Sequence, residues 1–149
     1  MYAIMKKISS LYPEHSWELV SRRSARSIHR LLRQGEVEYY VKLLSPRALP
    51  ERLRNLISPK TLREAAMLAR LMHAGIPVPE VCGHVRAGSA SALVTRAVFP
   101  ARGLFEESRQ RQVEVMLDMS VRLLNAGFGF ADMHLGNIIL DRHGSPFLV

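Results

Sequence analysis

The chain has 149 residues, of which 48% are hydrophobic and 7% aromatic, and this composition indicates one globular domain and excludes a disordered protein. No apolar run approaches the ~20 residues that cross a bilayer, and the N-terminus is too short and interrupted for a signal peptide, so we expect a cytoplasmic protein. Cys82 is the single cysteine, which excludes a disulfide framework and a thiolate metal site.

The net charge of +8 is concentrated near the N-terminus, because residues 1–60 hold 12 of the 21 basic and 5 of the 13 acidic residues. Five arginines recur in one short stretch: Arg22, Arg23, Arg26, Arg30 and Arg33. Such a surface attracts phosphates, an anionic membrane or nucleic acid. A solvated face without a partner is the alternative.

The first element is a short helix that ends before Pro13. Alternation of apolar and polar residues then predicts an antiparallel meander of three strands, namely Trp17–Val20, Ser27–Arg33 and Val37–Leu44. In the third strand the period of two places Lys42 on the face opposite to Val41. A lysine in such a position usually extends to solvent, so alone it does not indicate a site.

Residues 45–60 contain three prolines, which predicts a loop with a helical turn from Glu51 to Ile57. A helix follows over residues 61–74 and is closed by Gly75. Glu64 lies in the middle of its core-facing apolar arc, which is formed by Ala65, Met67, Leu68, Leu71 and Met72. An unpaired carboxylate there would be costly, so either Glu64 is paired with a cation, for which Lys42 is available, or the helix does not pack on this face.

A second hairpin, Val81–Val85 and Ala92–Val98, completes a sheet of about five strands. A linker at residues 99–103 then divides the chain into lobes 1–98 and 99–149. The second lobe begins with a helix from Arg109 to Asn125, closed by Gly127, whose predicted core stripe is Val113, Met116, Leu117, Ser120 and Leu124. A short hairpin, residues 138–140 and 146–149, ends the chain.

The stretch with the strongest resemblance to a functional site is the loop at residues 129–137, which lies between this helix and this hairpin. It places Asp132 and Asn137 five residues apart. A carboxylate that accepts a proton and an amide oxygen that binds a hard cation suit phosphoryl transfer. A turn between two core elements is the alternative. We interpret His134 as a loop-stabilising residue, because no further His or Cys has metal-ligand spacing.

The elements, taken in order, resemble the protein-kinase-like fold: a sheet with a lysine on its third strand, a helix with an inward glutamate, a linker, a long helix and an Asp-x-x-x-x-Asn loop. The loop Phe130-Ala-Asp-Met-His-Leu-Gly-Asn-Ile-Ile-Leu-Asp141 is most similar to that of bacterial lipopolysaccharide kinases of the Kdo type. Its Asp-x-His-x-Gly-Asn core is also similar to aminoglycoside and choline kinases.

The resemblance implies an α+β fold of the protein-kinase-like class, with an N-terminal lobe made of an antiparallel five-stranded sheet and one helix. An incomplete helical C-terminal lobe would follow. The chain ends at Val149, where the family's Mg²⁺-binding aspartate would come next, so a truncated kinase is expected.

The resemblance also implies ATP and Mg²⁺ as cofactors. Lys42 would contact the α- and β-phosphates of ATP and be oriented by Glu64, while Asp132 would accept the proton of the substrate hydroxyl. Asn137 would hold Mg²⁺. The adenine would pack against a hinge formed by Thr95, Arg96 and Ala97. The phosphate-covering loop, residues 21–26, carries arginines and no glycine.

The implied acceptor is a sugar hydroxyl of the lipopolysaccharide core or another anionic sugar, with a peripheral contact to the inner membrane. Two alternatives remain open. One is a catalytically inactive or truncated nucleotide-binding module, and the other is a small-molecule kinase of the aminoglycoside or choline type. A nucleic-acid partner is disfavoured, because no aromatic stacking motif is interleaved with the arginines.

Overall fold

The structure, a computed structural model, describes residues 2–98, 101–129 and 134–149. The chain forms two compact units: Met1–Ala69 with Glu80–Ala97, and Arg70–Pro79 with Val98–Val149. The boundary at Val98 lies beside the predicted linker at residues 99–103. Residues 70–79, which fall within the predicted first lobe, belong to the second unit. Within the described ranges, no helix is both long and apolar enough to cross a membrane.

The first unit contains the predicted five-stranded antiparallel sheet. Its strands are β1 (Ser16–Arg23), β2 (Arg26–Arg33), β3 (Glu36–Leu44), β4 (Val81–Ala87) and β5 (Ala90–Arg96), in the order β1-β2-β3-β5-β4. Gln34 and Gly35 join β2 to β3 as a two-residue hairpin turn. Their φ angles of 53° and 87° are left-handed, which lets the turn match the right-handed twist of the two strands. The sheet confirms the predicted α+β class.

The core of the first unit lies between the sheet and helix α1 (Tyr2–Leu11). Ile4 and Ile8 stand one helical turn apart and are fully buried. They pack against apolar side chains of three strands, among them Leu31, Val41, Leu43, Ala92 and Val94. Because Val41 and Leu43 point into this core, Lys42 projects from the opposite face of β3, as the period of two predicts.

Two helices occupy the segment between β3 and β4. Helix α2 (Leu49–Ile57) is longer than the predicted turn, and helix α3 (Lys60–His73) starts one residue before the predicted helix. Asn55 is the buried residue of α2. Its Nδ2 donates to the carbonyl oxygen of Ser89 at 2.6 Å and to Ser91 Oγ at 3.1 Å, and its Oδ1 accepts from the N–H of Lys60 at 3.1 Å. One amide therefore joins α2, the start of α3 and the β4–β5 hairpin.

The apolar arc predicted for α3 is wrong at its edges. The inward face consists of Thr61, Glu64, Ala65, Leu68 and Leu71, while Met67 and Met72 are exposed. Thr61 is buried because its hydroxyl hydrogen-bonds to Nε2 of His84 at 2.9 Å. The inward face thus keeps four predicted positions, Glu64, Ala65, Leu68 and Leu71, and Thr61 joins them through its polar contact.

The second unit contains helix α4 (Arg109–Asn125) and a small sheet. The strands are β6 (Arg102–Gly103), β7 (Ile138–Leu140) and β8 (Pro146–Leu148), in the order β6-β7-β8. The bounds of α4 match the prediction. Ser108 caps its N-terminus by accepting from the N–H of Arg111 at 3.3 Å, and Gly127, with a φ of 78°, follows its C-terminus.

The stripe predicted to face the core on α4 is wrong. The buried residues are Val115, Met119 and Leu123, whereas Val113, Leu117 and Leu124 are 60%, 64% and 57% exposed. Both sets recur at helical spacing, so the periodicity cannot choose between the two faces.

Two histidines of the first unit are harder to protonate than an ordinary imidazole. His29 is buried, 2.9 Å from Ser27 Oγ and edge-on to the Trp17 ring, and Nε2 of His84 shares the hydrogen bond with the Thr61 hydroxyl described above. Burial lowers the pKa of both imidazoles, and the charges of Arg22 and Arg86 lower it further.

These lowered pKa values predict that the free energy of unfolding decreases between pH 7 and pH 5. In the unfolded chain both histidines regain the ordinary pKa of 6.5, so the unfolded state binds protons first and stability is lost as the pH falls below that value. The double variant His29→Gln/His84→Gln should flatten the pH dependence of urea unfolding. Exposed His73→Gln is the control, and an equal flattening there would contradict the prediction.

Replacement of Asn55 tests the junction of α2, α3 and the β4–β5 hairpin. Asn55→Ala removes three hydrogen bonds and leaves buried partners unsatisfied, so we expect a loss of about 2–3 kcal/mol in urea unfolding. Arg52→Ala, on the exposed side of the same helix, should change stability by less than about 0.5 kcal/mol. Equal effects of the two substitutions would show that the Asn55 amide does not hold this junction.

Candidate functional site

Lys42 and Glu64 form an ion pair between β3 and α3. Lys42 is placed by the alternation of β3, and Glu64 by its position on the inward face of α3. The two side chains keep 44% and 29% of their exposure, so solvent screens the pair and it contributes roughly 0–1 kcal/mol to stability. The carboxylate therefore acts mainly to orient an ammonium group that a ligand can still reach.

The three residues predicted as a hinge lie at the end of β5 and just beyond it. The N–H of Arg96 donates to the carbonyl oxygen of Glu80 at 2.8 Å, and that of Ala97 donates to the carbonyl oxygen of Glu38 at 2.9 Å. The Arg96 guanidinium binds the Glu80 carboxylate at 3.0 Å and lies over the Tyr39 ring. These two donors are therefore already used within the sheet, and Thr95 itself pairs with Tyr40 on one side and Val81 on the other.

In the second unit, the predicted loop is described from His134 onward. Asp132, the predicted proton acceptor, lies outside the described residues. His134 has the predicted loop-stabilising role, because its Nδ1 accepts a hydrogen bond from the N–H of Gly136 at 3.1 Å. A Cβ on Gly136 would lie 3.1 Å from the same ring, so glycine permits this close approach.

Asn137 ends the 3-10 turn Leu135–Asn137 and precedes β7. Its N–H donates to the carbonyl oxygen of His134 at 2.9 Å, and its carbonyl oxygen accepts from the N–H of Val149 at 2.8 Å. The backbone is thus held on both sides, and the side-chain amide offers the hard oxygen that Mg²⁺ prefers. The residue fits the predicted role chemically. Among the described residues, no three His, Cys, Asp or Glu side chains cluster as a metal site.

The first unit also contains an open cleft of about 1020 Å³ beside the Lys42–Glu64 pair. It is lined by the β1–β2 turn, α2 and the start of α3. Five cationic side chains line it, namely Arg23, Arg26, Arg54, Lys60 and Arg63, together with the carboxylates of Glu51 and Glu64. Glu64 is already paired with Lys42, so the cleft carries a clear excess of positive charge.

The arginines of residues 22–33 do not all have the same surroundings in the fold. Arg30 pairs with Glu18 at 3.5 Å, and Arg33 pairs with Glu14 at 2.7 Å. Arg23 and Arg26 flank the turn at Ser24, which has a left-handed φ of 50°, and they line the cleft. Within the described ranges, none of the five cleft cations forms an ion pair. The contributions of Arg54, Lys60 and Arg63 were missed, because only the fold brings them to the β1–β2 turn.

No protein-family model and no curated protein sequence matches the chain. Solved structures do match. The chain is 28% identical to an aminoglycoside-3'-phosphotransferase of type VIII, with a TM-score of 0.58 over 82% of this chain and 42% of that one. For WbdD the identity is 18% and the TM-score 0.58, over 89% of this chain and 31% of that one.

Two further structures agree in fold. The MAP kinase LmaMPK10 from Leishmania major is 16% identical, with a TM-score of 0.59 over 100% of this chain and 50% of that one. The Mycobacterium tuberculosis PknI kinase domain is 14% identical, with a TM-score of 0.59 over 91% and 57%. The chain thus spans between about a third and three fifths of the length of these proteins, and it has the protein-kinase-like fold that its order of elements predicts.

Proposed function

We propose that the protein is an ATP-dependent phosphotransferase that phosphorylates a hydroxyl group of an anionic sugar, such as the lipopolysaccharide core. The observation that carries this proposal is the Lys42–Glu64 ion pair on a protein-kinase-like fold. In that arrangement a cation is held in a fixed place but left accessible, as binding of a nucleotide phosphate requires.

The proposed roles follow the chemistry of the side chains. Lys42 binds the phosphates of ATP, and Glu64 orients its ammonium group. Asn137 supplies an amide oxygen to Mg²⁺, which, when bound, neutralises charge on the phosphate oxygens. Thr95, Arg96 and Ala97 border the adenine, with the Arg96 and Ala97 N–H groups retained by the sheet.

Asp132 is the proposed general base. As the sugar hydroxyl oxygen forms a bond to the γ-phosphorus, the Asp132 carboxylate takes the hydroxyl proton. The bond between the γ-phosphorus and the β–γ bridging oxygen breaks, and ADP leaves with that oxygen. The products are a sugar phosphate and ADP, so no further reactant is needed.

The charge of the cleft favours an anionic acceptor over an aminoglycoside. Aminoglycosides are polycations, and the five cleft cations would repel them. Two of these cations, Arg23 and Arg26, belong to the predicted phosphate-covering loop, so Lys60 and Arg63 are the ones assigned to the acceptor. A saccharide that carries phosphate or carboxylate groups would instead form charge-assisted hydrogen bonds with arginine. Because the chain is 28% identical to an aminoglycoside phosphotransferase, a small-molecule acceptor is the second candidate. The rates at which the protein phosphorylates an aminoglycoside and an anionic saccharide distinguish the two candidates.

Replacement of Asp132 tests the reaction. Asp132→Asn should reduce ATP-dependent phosphate transfer by at least ~10³-fold while leaving the ATP-dependent thermal shift unchanged, because the amide cannot accept the proton. Lys42→Met should weaken the thermal shift itself. Unchanged turnover in Asp132→Asn would contradict the assignment. Binding of ATP without any transfer by the unmodified chain would instead identify a catalytically inactive nucleotide-binding module.

Replacement of the cleft cations tests the acceptor. With a soluble, phosphorylated Kdo saccharide as the acceptor, Lys60→Ala/Arg63→Ala should raise KM at least about tenfold and change kcat little. The reason is that these cations bind the charge of the acceptor equally well in the ground state and in the transition state. Lys6→Ala/Arg109→Ala removes two exposed charges outside the cleft and should leave KM within about twofold. Faster phosphorylation of kanamycin than of the saccharide would contradict the anionic acceptor.

A further inference from the structure

Helix α2 presents its apolar face to solvent. Leu49, Leu53, Leu56 and Ile57 are 66%, 53%, 43% and 86% exposed. At about 100° per residue these four side chains lie within an arc of roughly 100°. An ordinary surface helix of a globular protein turns such an arc toward the core, so this arrangement is reversed.

The reversed orientation is held by hydrogen bonds on the opposite side of the helix. Asn55 is buried and makes the three hydrogen bonds described above. The Arg86 guanidinium also donates to the carbonyl oxygen of Leu56 at 2.7 Å. Rotation that buried the leucines would break these contacts and expose the Asn55 partners. The apolar face is therefore a fixed feature of this surface.

Cations border the apolar face. Arg52 and Arg54 lie on its two flanks, and Arg47 precedes the helix. All three are exposed, and none of them forms an ion pair with another residue in the described ranges. Glu51 projects away from the apolar face and lines the cleft, whereas Arg54 lies at the border between the apolar face and the cleft. An apolar arc bordered by unpaired arginines is the pattern of a helix that lies in the surface of an anionic membrane.

A second copy of the chain is a poorer occupant of this face. A two-fold interface would bring the Arg52 and Arg54 side chains of both copies together without carboxylates to neutralise them. Helix α4 provides a contrast, because it also exposes apolar residues but its charges are balanced by the ion pairs Arg111–Glu114 and Arg122–Asp118. Only the α2 face, of these two, combines exposed apolar side chains with uncompensated positive charge.

We propose that the exposed face of α2 binds the chain peripherally to a bilayer of anionic phospholipids. Leu53 and Ile57 insert their side chains into the boundary between headgroups and acyl chains, and Arg52 and Arg54 contact the lipid phosphates. This inference does not depend on the proposed kinase activity, because it concerns a surface of the first unit that can be tested without ATP.

Vesicle co-sedimentation of the 149-residue chain tests the proposal. We expect binding to phosphatidylcholine vesicles with about 30% phosphatidylglycerol and at least tenfold weaker binding to phosphatidylcholine alone. Leu53→Ser/Ile57→Ser should lower the partition coefficient at least about tenfold. Leu117→Ser/Leu124→Ser removes a similar exposed pair from α4 and should leave it unchanged. Circular dichroism checks that each variant is folded.

A second pair of variants tests the charge. Arg52→Ala/Arg54→Ala should weaken binding to the anionic vesicles about tenfold, and added salt should reduce this difference. Equal losses in the α2 and α4 leucine variants, or no binding of the unmodified chain to anionic vesicles, would overturn the proposal. Light scattering that shows a dimer dissociated by Leu53→Ser/Ile57→Ser would also overturn it, in favour of a second copy.

Discussion

The two-residue period of β3 is the constraint on which the first unit depends. Because successive side chains alternate, burial of Val41 and Leu43 against α1 leaves Lys42 on the other face of the sheet. A shift of one residue would bury the lysine and expose the core, so the hydrophobic effect sets the position of the ammonium group. The ion pair with Glu64 then orients it.

The helices between β3 and β4 are positioned by polar contacts more than by apolar ones. Asn55 fixes α2, the Thr61–His84 contact fixes the start of α3, and Glu64 meets Lys42 one turn later. Such contacts are directional, so they hold the helices in one orientation even where it exposes leucine or methionine. The basic cleft and the apolar face of α2 are both consequences of this arrangement.

The charges of the chain are distributed unevenly in the fold as well as in the sequence. Arg30, Arg33 and Arg96 are bound to carboxylates, so the charge of each guanidinium is neutralised within the fold. The cations of the cleft lack such partners in the described parts of the chain and create a local positive potential. A binding role is therefore better argued from the pairing of each arginine than from the net charge of +8.

The sequence by itself determined the five strands, the helix α4 from Arg109 to Asn125, and the pairing of Lys42 with Glu64. Alternation, capping residues and an acidic residue on an apolar stripe are local signals, so they can be recognised along the chain. Only the tertiary structure decided that Val115, Met119 and Leu123 are the buried face of α4, and that Arg54, Lys60 and Arg63 meet the β1–β2 turn. The reason is physical: a helix with two apolar faces buries the one that its neighbours cover, and distant cations form one surface only after the chain has folded.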